Sequence, residues 1–175
     1  IAIVDRAHAD GIRATVTVGV AFGCPFEGAV DPARVLGFAA QLADAGADEI
    51  VLADTVGVAV PRQVKQLVGE TAKLSRPVGV HLHNTRNTGF ANAYAAIEAG
   101  AGNVMTAYMA LNGIPASSNR WLFTDVLRDA LGFAGFVVSD ANAVRNLVTH
   151  GFAADLREAG ARAVNAGADM EMAMT

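Results

Sequence analysis

Two histidines two residues apart, His81 and His83 in the run VGVHLHN, carry the densest chemistry in the sequence. Alternate side chains of an extended strand share a face, so both imidazoles point the same way. Two imidazoles on one face can chelate a divalent metal; they can equally be satisfied residues capping a strand. Asp54 ends the run EIVLAD and Asp140 ends GFVVSD. A carboxylate so placed can be a general base or a nucleophile, or it can start a turn or cap a helix. Cys24 lies in a Gly/Pro turn with no basic neighbour in sequence, the setting of an ordinary loop cysteine and not of an activated thiol. His8 and His150 fall on helix or loop patterns and read as solvated. No GxGxxG, GxxxxGK[ST], GxSxG or CxxC pattern is present, so nucleotide-binding, serine-hydrolase and zinc-ribbon chemistry lack support.

These residues must be held by a scaffold, and the sequence describes one. Short runs rich in Val and Ile predict strands at Thr15–Phe22, Glu49–Asp54, Val78–Asn84, Asn103–Met109, Gly135–Asp140 and Ala168–Met174. Helical patterns lie between them, at Asp31–Ala45, Pro61–Ser75, Thr88–Ala99, Asn119–Leu131 and Ala153–Asn165, and Ile1–Gly11 reads as the last turns of a further helix. Strands alternating with helices at this spacing imply βαβ units and a parallel sheet, and nearly all-apolar strands imply a sheet covered on both faces. Asp31-Pro32 reads as an N-cap followed by proline at N1. Three helices end in nearly one phrase, ADAGADEI (43–50), EAGAGNV (98–104) and NAGADME (165–171), in which glycine stops the helix and a short turn feeds the next strand.

The expected fold class is therefore α/β, of the (β/α)8 TIM-barrel type. Six predicted strands fall short of the eight strands and roughly 250 residues of a complete barrel, so the expectation is an incomplete barrel, with about two β/α units supplied by a partner or with the sheet left open. Active sites of such folds gather at the C-terminal ends of the strands, where His81, His83, Asp54 and Asp140 all lie.

Composition bounds the rest. The 175 residues are 53% hydrophobic and 17% charged, enough for a real core and unlike a disordered chain. A net charge of −4 argues against nucleic acid as a main partner. No apolar run approaches the roughly 20 residues of a membrane-spanning helix, and no secretory signal opens the chain. A single cysteine forbids an internal disulfide and fits a reducing, cytoplasmic setting.

At GCPFEG (23–28), LADTVGV (52–58) and HLHNTRNTGFANAYAAIEAGA (81–101) the chain resembles 3-hydroxy-3-methylglutaryl-CoA lyase and its metallolyase relatives. The resemblance covers residues 1–101. It implies the later strands of a (β/α)8 barrel, His81 and His83 as ligands of Mg²⁺ or Mn²⁺, and Asp54 positioning or protonating substrate. His81 is also a candidate for proton transfer, and Asn84, directly after the pair, for substrate contact. The family reaction is a retro-Claisen cleavage to acetyl-CoA and acetoacetate. The family's first-strand Asp-Arg-Glu segment, and its later glycine-rich loop with Cys and Asn, have no counterpart here. Two imidazoles without those oxygen ligands suit Mn²⁺ or Zn²⁺ better than Mg²⁺.

From VMTAYMALNGIPASSNRWLFTDVLRDALGFAGFVVSDANAV (104–144) through AADLREAGARAVNAGADMEMAM (153–174) the chain resembles the barrel domain of family 3 glycoside hydrolases, over residues 96–175. That resemblance implies Asp140 as the nucleophile of a retaining β-glycosidase and Tyr108 near the sugar subsite. The Trp usual after the Ser-Asp pair is Ala141 here, and the family's upstream Lys-His motif is absent. Glu171 and Asp169 are the nearest candidates for the second carboxyl, which a retaining enzyme needs about 5 Å away. The two resemblances overlap on AAIEAGA (95–101), and the simplest reading is a chimera joined there, with residues 1–101 one segment and 102–175 the other within one domain. Three outcomes are open: a metal-dependent acyl-CoA lyase, a glycosidase, or a non-catalytic barrel. The first two would take a small-molecule substrate, acyl-CoA or glycoside. Little turnover is expected from this chain alone, and open sheet edges invite self-association into a homo-oligomer.

Overall fold

The alternation of Val/Ile-rich runs with helical patterns is realised as parallel β/α units in a computed structural model, which describes residues 2–172. By internal packing the chain divides into two units, Ile1–Gly102 and Asn103–Thr175.

The first unit runs α1 (Ala2–Ala9), β1 (Thr15–Val18), α2 (Pro32–Asp44), β2 (Glu49–Asp54), α3 (Pro61–Ala72), β3 (Val78–Leu82) and α4 (Gly89–Glu98). Strands β1 and β3 both pair with β2 in parallel, with Thr15 opposite Glu49, Ile50 opposite Val78 and Ala53 opposite His81. Asp31 caps α2 as its spacing implies, its carboxylate accepting from Ala33 N at 2.9 Å, and prolines 32 and 61 take the first-turn positions of α2 and α3. Alternation sorts the faces of the sheet. Ile50 and Leu52 are fully buried among Val35 and Ala39 of α2 and Val64 and Val68 of α3. Full burial of one such aliphatic side chain is worth roughly 1.5–3 kcal/mol. Val78, Val80 and Leu82 join the same cluster, which leaves Gly79 and His81 on the opposite face of β3.

The second unit holds β4 (Asn103–Met105), β5 (Ala110–Leu111), β6 (Ile114–Pro115), a 3₁₀ turn at Ala116–Ser118, a π-helix at Trp121–Ala130, β7 (Phe136–Val138), α5 (Asn146–Thr149) and α6 (Leu156–Ala166). Strands β4 and β7 are parallel, and β5 and β6 form an antiparallel hairpin. Arg128 ties three pieces of this unit together. Its guanidinium donates to the Gly135 and Gly167 carbonyls at 3.1 Å and to the Asp169 carboxylate at 2.8 Å, and Asp169 also accepts from Val137 N at 2.8 Å.

The three helix-ending phrases adopt one geometry. Gly46, Gly100 and Gly167 are left-handed, with φ of 89°, 99° and 112°. In each joint the glycine N–H bonds three residues back (to Ala43, Ile97 and Val164). The following alanine N–H bonds five back, Ala47 to Leu42, Ala101 to Ala96 and Ala168 to Ala163. This is the Schellman pattern, which satisfies the last helix carbonyls and requires a residue without a Cβ penalty at the turn.

Both units are thus α/β assemblies of (β/α)8-barrel type, and among the described residues neither closes a barrel. Some elements differ from the sequence expectation. Strand β1 stops at Val18 because Val20 turns to φ 51° and hands its N–H to Thr55 Oγ1. Strand β4 ends at Met105 and is followed by the β5–β6 hairpin, which the sequence reading passed over. The helix expected at 119–131 is π-helical over Trp121–Ala130, closed by an i→i+5 bond from Leu131 N to Val126 O. The last expected strand is a single parallel bridge, Met170 to Val138; its residues 173 and 174 lie outside the described residues.

Candidate functional site

The C-terminal end of β2 is organised by one carboxylate. Asp54 is fully buried, and its two oxygens accept the N–H groups of Val58 (2.9 Å) and Ala59 (3.0 Å). This folds residues 55–59 into a tight loop. Gly57 sits within it at φ +70°, where a Cβ would run into the Thr85 side chain, so only glycine fits. The loop is pinned from α4 as well: the Ala59 carbonyl receives the Thr88 hydroxyl at 3.1 Å and the Asn92 amide at 2.9 Å. Thr88 and Asn92 stand four apart, on one helix face. That spacing was legible in the sequence but was not singled out.

His83 lies just past β3 and bonds through Nδ1 to the Asp54 backbone carbonyl at 2.8 Å. A carbonyl oxygen can only accept, so Nδ1 carries a proton, and in the neutral ring the lone pair falls to Nε2. The His81 ring is 4.9 Å from that of His83, tilted by 54°. His81, His83 and Asp54 are therefore neighbours, while both Asp54 oxygens are engaged by the loop. Asn84 accepts the Gly89 N–H at 2.8 Å, so its side-chain carbonyl starts α4. His8, expected to be solvated, bonds Asp48 at 2.9 Å. Asp48 also accepts Ala14 N; that backbone bond first, and His8 second, hold its carboxyl below the ordinary value. Among the described residues, no group of three or more His, Cys, Asp and Glu is placed to hold a metal ion.

In the second unit Tyr108 and Asp140 come together. The Tyr108 hydroxyl donates to the Ala141 carbonyl at 2.8 Å. Desolvation, then the Asp140 carboxylate and more weakly Glu171, push its ionisation above the usual tyrosine value. Asp140 accepts from Ala141 N at 2.7 Å. Of the two carboxyl candidates on the last run, Asp169 is taken up by Arg128 and Val137. Glu171 instead receives the fully buried Ser139 hydroxyl at 2.7 Å, a link the sequence did not signal.

No helix among the described residues is long and apolar enough to cross a membrane. Comparison with known proteins assigns both halves. The HMGL-like family matches residues 1–118, and the glycosyl hydrolase family 3 N-terminal domain matches residues 70–175. An (R)-citramalyl-CoA lyase of Chloroflexus aurantiacus is 48% identical over 108 residues, 61% of this chain and 34% of that protein. A periplasmic β-glucosidase of Salmonella typhimurium is 52% identical over 79 residues, 45% of this chain and 10% of that protein. The crystal structure of hydroxymethylglutaryl-CoA lyase from Pseudomonas aeruginosa superposes with a TM-score of 0.52 at 29% identity, over 57% of this chain and 34% of that one. The chain thus spans about a third of the lyases it matches and a tenth of the glucosidase. It belongs to the HMGL-like family over residues 1–118 and to the glycosyl hydrolase family 3 N-terminal domain family over residues 70–175.

Proposed function

We propose that the first unit carries the histidine face of a metal-dependent carbon–carbon lyase of the hydroxymethylglutaryl-CoA lyase type, acting on a hydroxyacyl-CoA. The observation that supports this most is the bond from His83 Nδ1 to the Asp54 carbonyl. It fixes the tautomer that a metal-ligating imidazole needs, and such outer partners orient the ring and raise its basicity. With His81 on the same strand end, two ring nitrogens suit an ion that accepts nitrogen, Mn²⁺ or Zn²⁺, with oxygens of substrate and water completing its shell. When bound, the ion would supply Lewis-acid polarisation of the substrate's acyl and hydroxyl oxygens.

The chain's own groups do the rest in this reading. Asp54 acts through position: its side chain holds the loop after β2, and its own backbone carbonyl orients His83. His81 is the group to move a proton at the substrate hydroxyl, and Asn84 flanks the site. Titration calorimetry with Mn²⁺ tests the proposal. Binding is expected that either His81→Ala or His83→Ala abolishes. Absence of binding, or binding indifferent to both variants, would remove the metal site.

A second reading rests on Tyr108, Asp140 and Glu171. The influence of both carboxylates on the Tyr108 hydroxyl supports a sugar subsite around Asp140, as in a retaining β-glycosidase. A mechanism-based fluorosugar should then label Asp140; an unlabelled peptide in the mass spectrum would sink this reading and leave the lyase reading untouched.

A further inference from the structure

The segment after β1 contains a small loop that closes on itself. Cys24 and Gly28 exchange backbone hydrogen bonds in both directions, at 2.8 and 2.9 Å. Gly28 takes a left-handed φ of 78°, which a residue without a Cβ adopts freely, and Pro25 fixes one more dihedral inside the loop. At the tip stands Phe26, 95% exposed. Single exposed apolar residues are common on protein surfaces and need no explanation. This one has two unusual neighbours. A pocket of about 80 Å³ opens beside it, lined by Cys24 and Glu27 from the loop itself and walled mainly by Val18, Val20, Val30 and Val35. Glu27 and Arg34, which also lines the pocket, form an ion pair at 2.7 Å with more than half of each side chain exposed.

One small patch therefore carries an apolar projection, an apolar recess, an acid and a base. Such a patch is complementary to itself under a two-fold rotation. We propose that it docks a second copy of this chain, Phe26 of each protomer entering the pocket of the other and Glu27 facing the partner's Arg34. The sizes agree. A closed apolar cavity of about 150 Å³ takes a whole benzene, so a pocket of about 80 Å³, open at its mouth, takes the outer half of a ring. The loop is already closed, so docking immobilises little beyond one side chain with two torsions. An exposed ion pair contributes little to a lone fold. Exchanging it for the same pair across the two-fold therefore costs little, and it fixes the register of the two copies. A small ligand would find no fully buried polar group in this lining to orient it, whereas a second copy supplies both the ring and the charges. The contact is small and belongs at the weak end of protein interfaces. It is independent of the lyase reading.

Sedimentation velocity on the whole chain from about 1 to 500 µM, the range of a weak interface, tests this. A monomer–dimer equilibrium is expected there. Phe26→Ser removes two docked rings per dimer, each worth about tenfold or more, and should raise the dissociation constant at least about a hundredfold with the melting temperature unchanged. Glu27→Arg and Arg34→Glu should each weaken self-association. Their equimolar mixture should form a heterodimer, because the two-fold then sets two arginines against two glutamates; this pair keeps the test decisive should Phe26→Ser alter the melt. Cys24, the single cysteine, reports on the pocket. Its alkylation by N-ethylmaleimide should slow as protein concentration rises, and should not do so in Phe26→Ser. A monomer throughout the range overturns the proposal, as does a dimer indifferent to Phe26→Ser, which would associate through the sheet edges instead. So does a charge-reversed mixture that associates no better than its components, or a dimer in which Cys24 reacts as fast as in the monomer.

Discussion

Asp54→Asn separates a structural carboxylate from a reacting one. Aspartate at this position accepts two backbone N–H groups, from Val58 and Ala59, in a fully buried setting. Asparagine keeps one acceptor oxygen and places an NH₂ group where the other stood, so one loop N–H faces a donor. Leaving a buried donor unsatisfied costs about 1–3 kcal/mol. Asp54→Ala leaves both donors unsatisfied and should cost roughly twice as much by the same reckoning. Urea denaturation at neutral pH measures the loss directly. The carbonyl that orients His83 belongs to Asp54 itself, at the end of β2, so a loosened loop that shifts this strand end should lower Mn²⁺ affinity about tenfold or more, the usual effect of disturbing an outer-shell partner. A variant whose stability stays within about 0.5 kcal/mol of the parent, the scatter of an ordinary surface change, refutes the loop-organising role. If such a variant nevertheless lost turnover in an acyl-CoA cleavage assay, Asp54 would act on the substrate itself.

Two further perturbations follow from the ion pairs. The Asp48 carboxyl is held below its ordinary value, mainly by the Ala14 N–H and then by His8. A depressed carboxylate stabilises the fold above its unfolded pKa, and that contribution fades as pH falls through the folded one. Melting temperature should therefore drop as pH is lowered below about 4, and Asp48→Asn should flatten that acid limb; an unchanged limb would mean that other carboxylates control it. Arg128→Lys replaces a fork that reaches Gly135, Gly167 and Asp169 with one ammonium, and should cost about 1–3 kcal/mol. Amide exchange at residues 135–138 and 167–170 should rise with it, and unaltered protection there would count against the hub.

Sequence reading reached the β/α order because the signals were periodic and local. Val/Ile runs, the Asp31-Pro32 start and the glycine stops each specify a conformation within a few residues. It located His81 and His83 for the same reason, since an i, i+2 pair on a strand shares a face whatever surrounds it. What it missed is long-range. Whether Asp54 is a reacting carboxylate or an anchor depends on where the N–H groups of residues 58 and 59 come to lie, and whether Asp169 or Glu171 is available depends on Arg128, some forty residues upstream of both. The β5–β6 hairpin is a different case. Asn112-Gly113, at φ 55° and 79°, is a strong local turn signal, but it lies between the expected strand at 103–109 and the expected helix at 119–131, and the two-residue strands beside it are too short to show a period.

The three Schellman joints have a consequence for how such a chain can arise. Each closes its helix with bonds confined to about six residues and delivers the chain to the following strand in one conformation, without reference to the helix before or the strand after. A joint of that kind is a standard coupling: genetic material exchanged at it conserves the local backbone even where the flanking sequences have separate ancestries. The lyase-like and glycosidase-like matches share residues 70–118, and the coupling at Gly100-Ala101 falls inside that span. Barrels that punctuate their units in this way are predisposed to crossover at unit boundaries, and exchanging residues 43–47 for 97–101 within this chain is expected to be among its best-tolerated rearrangements.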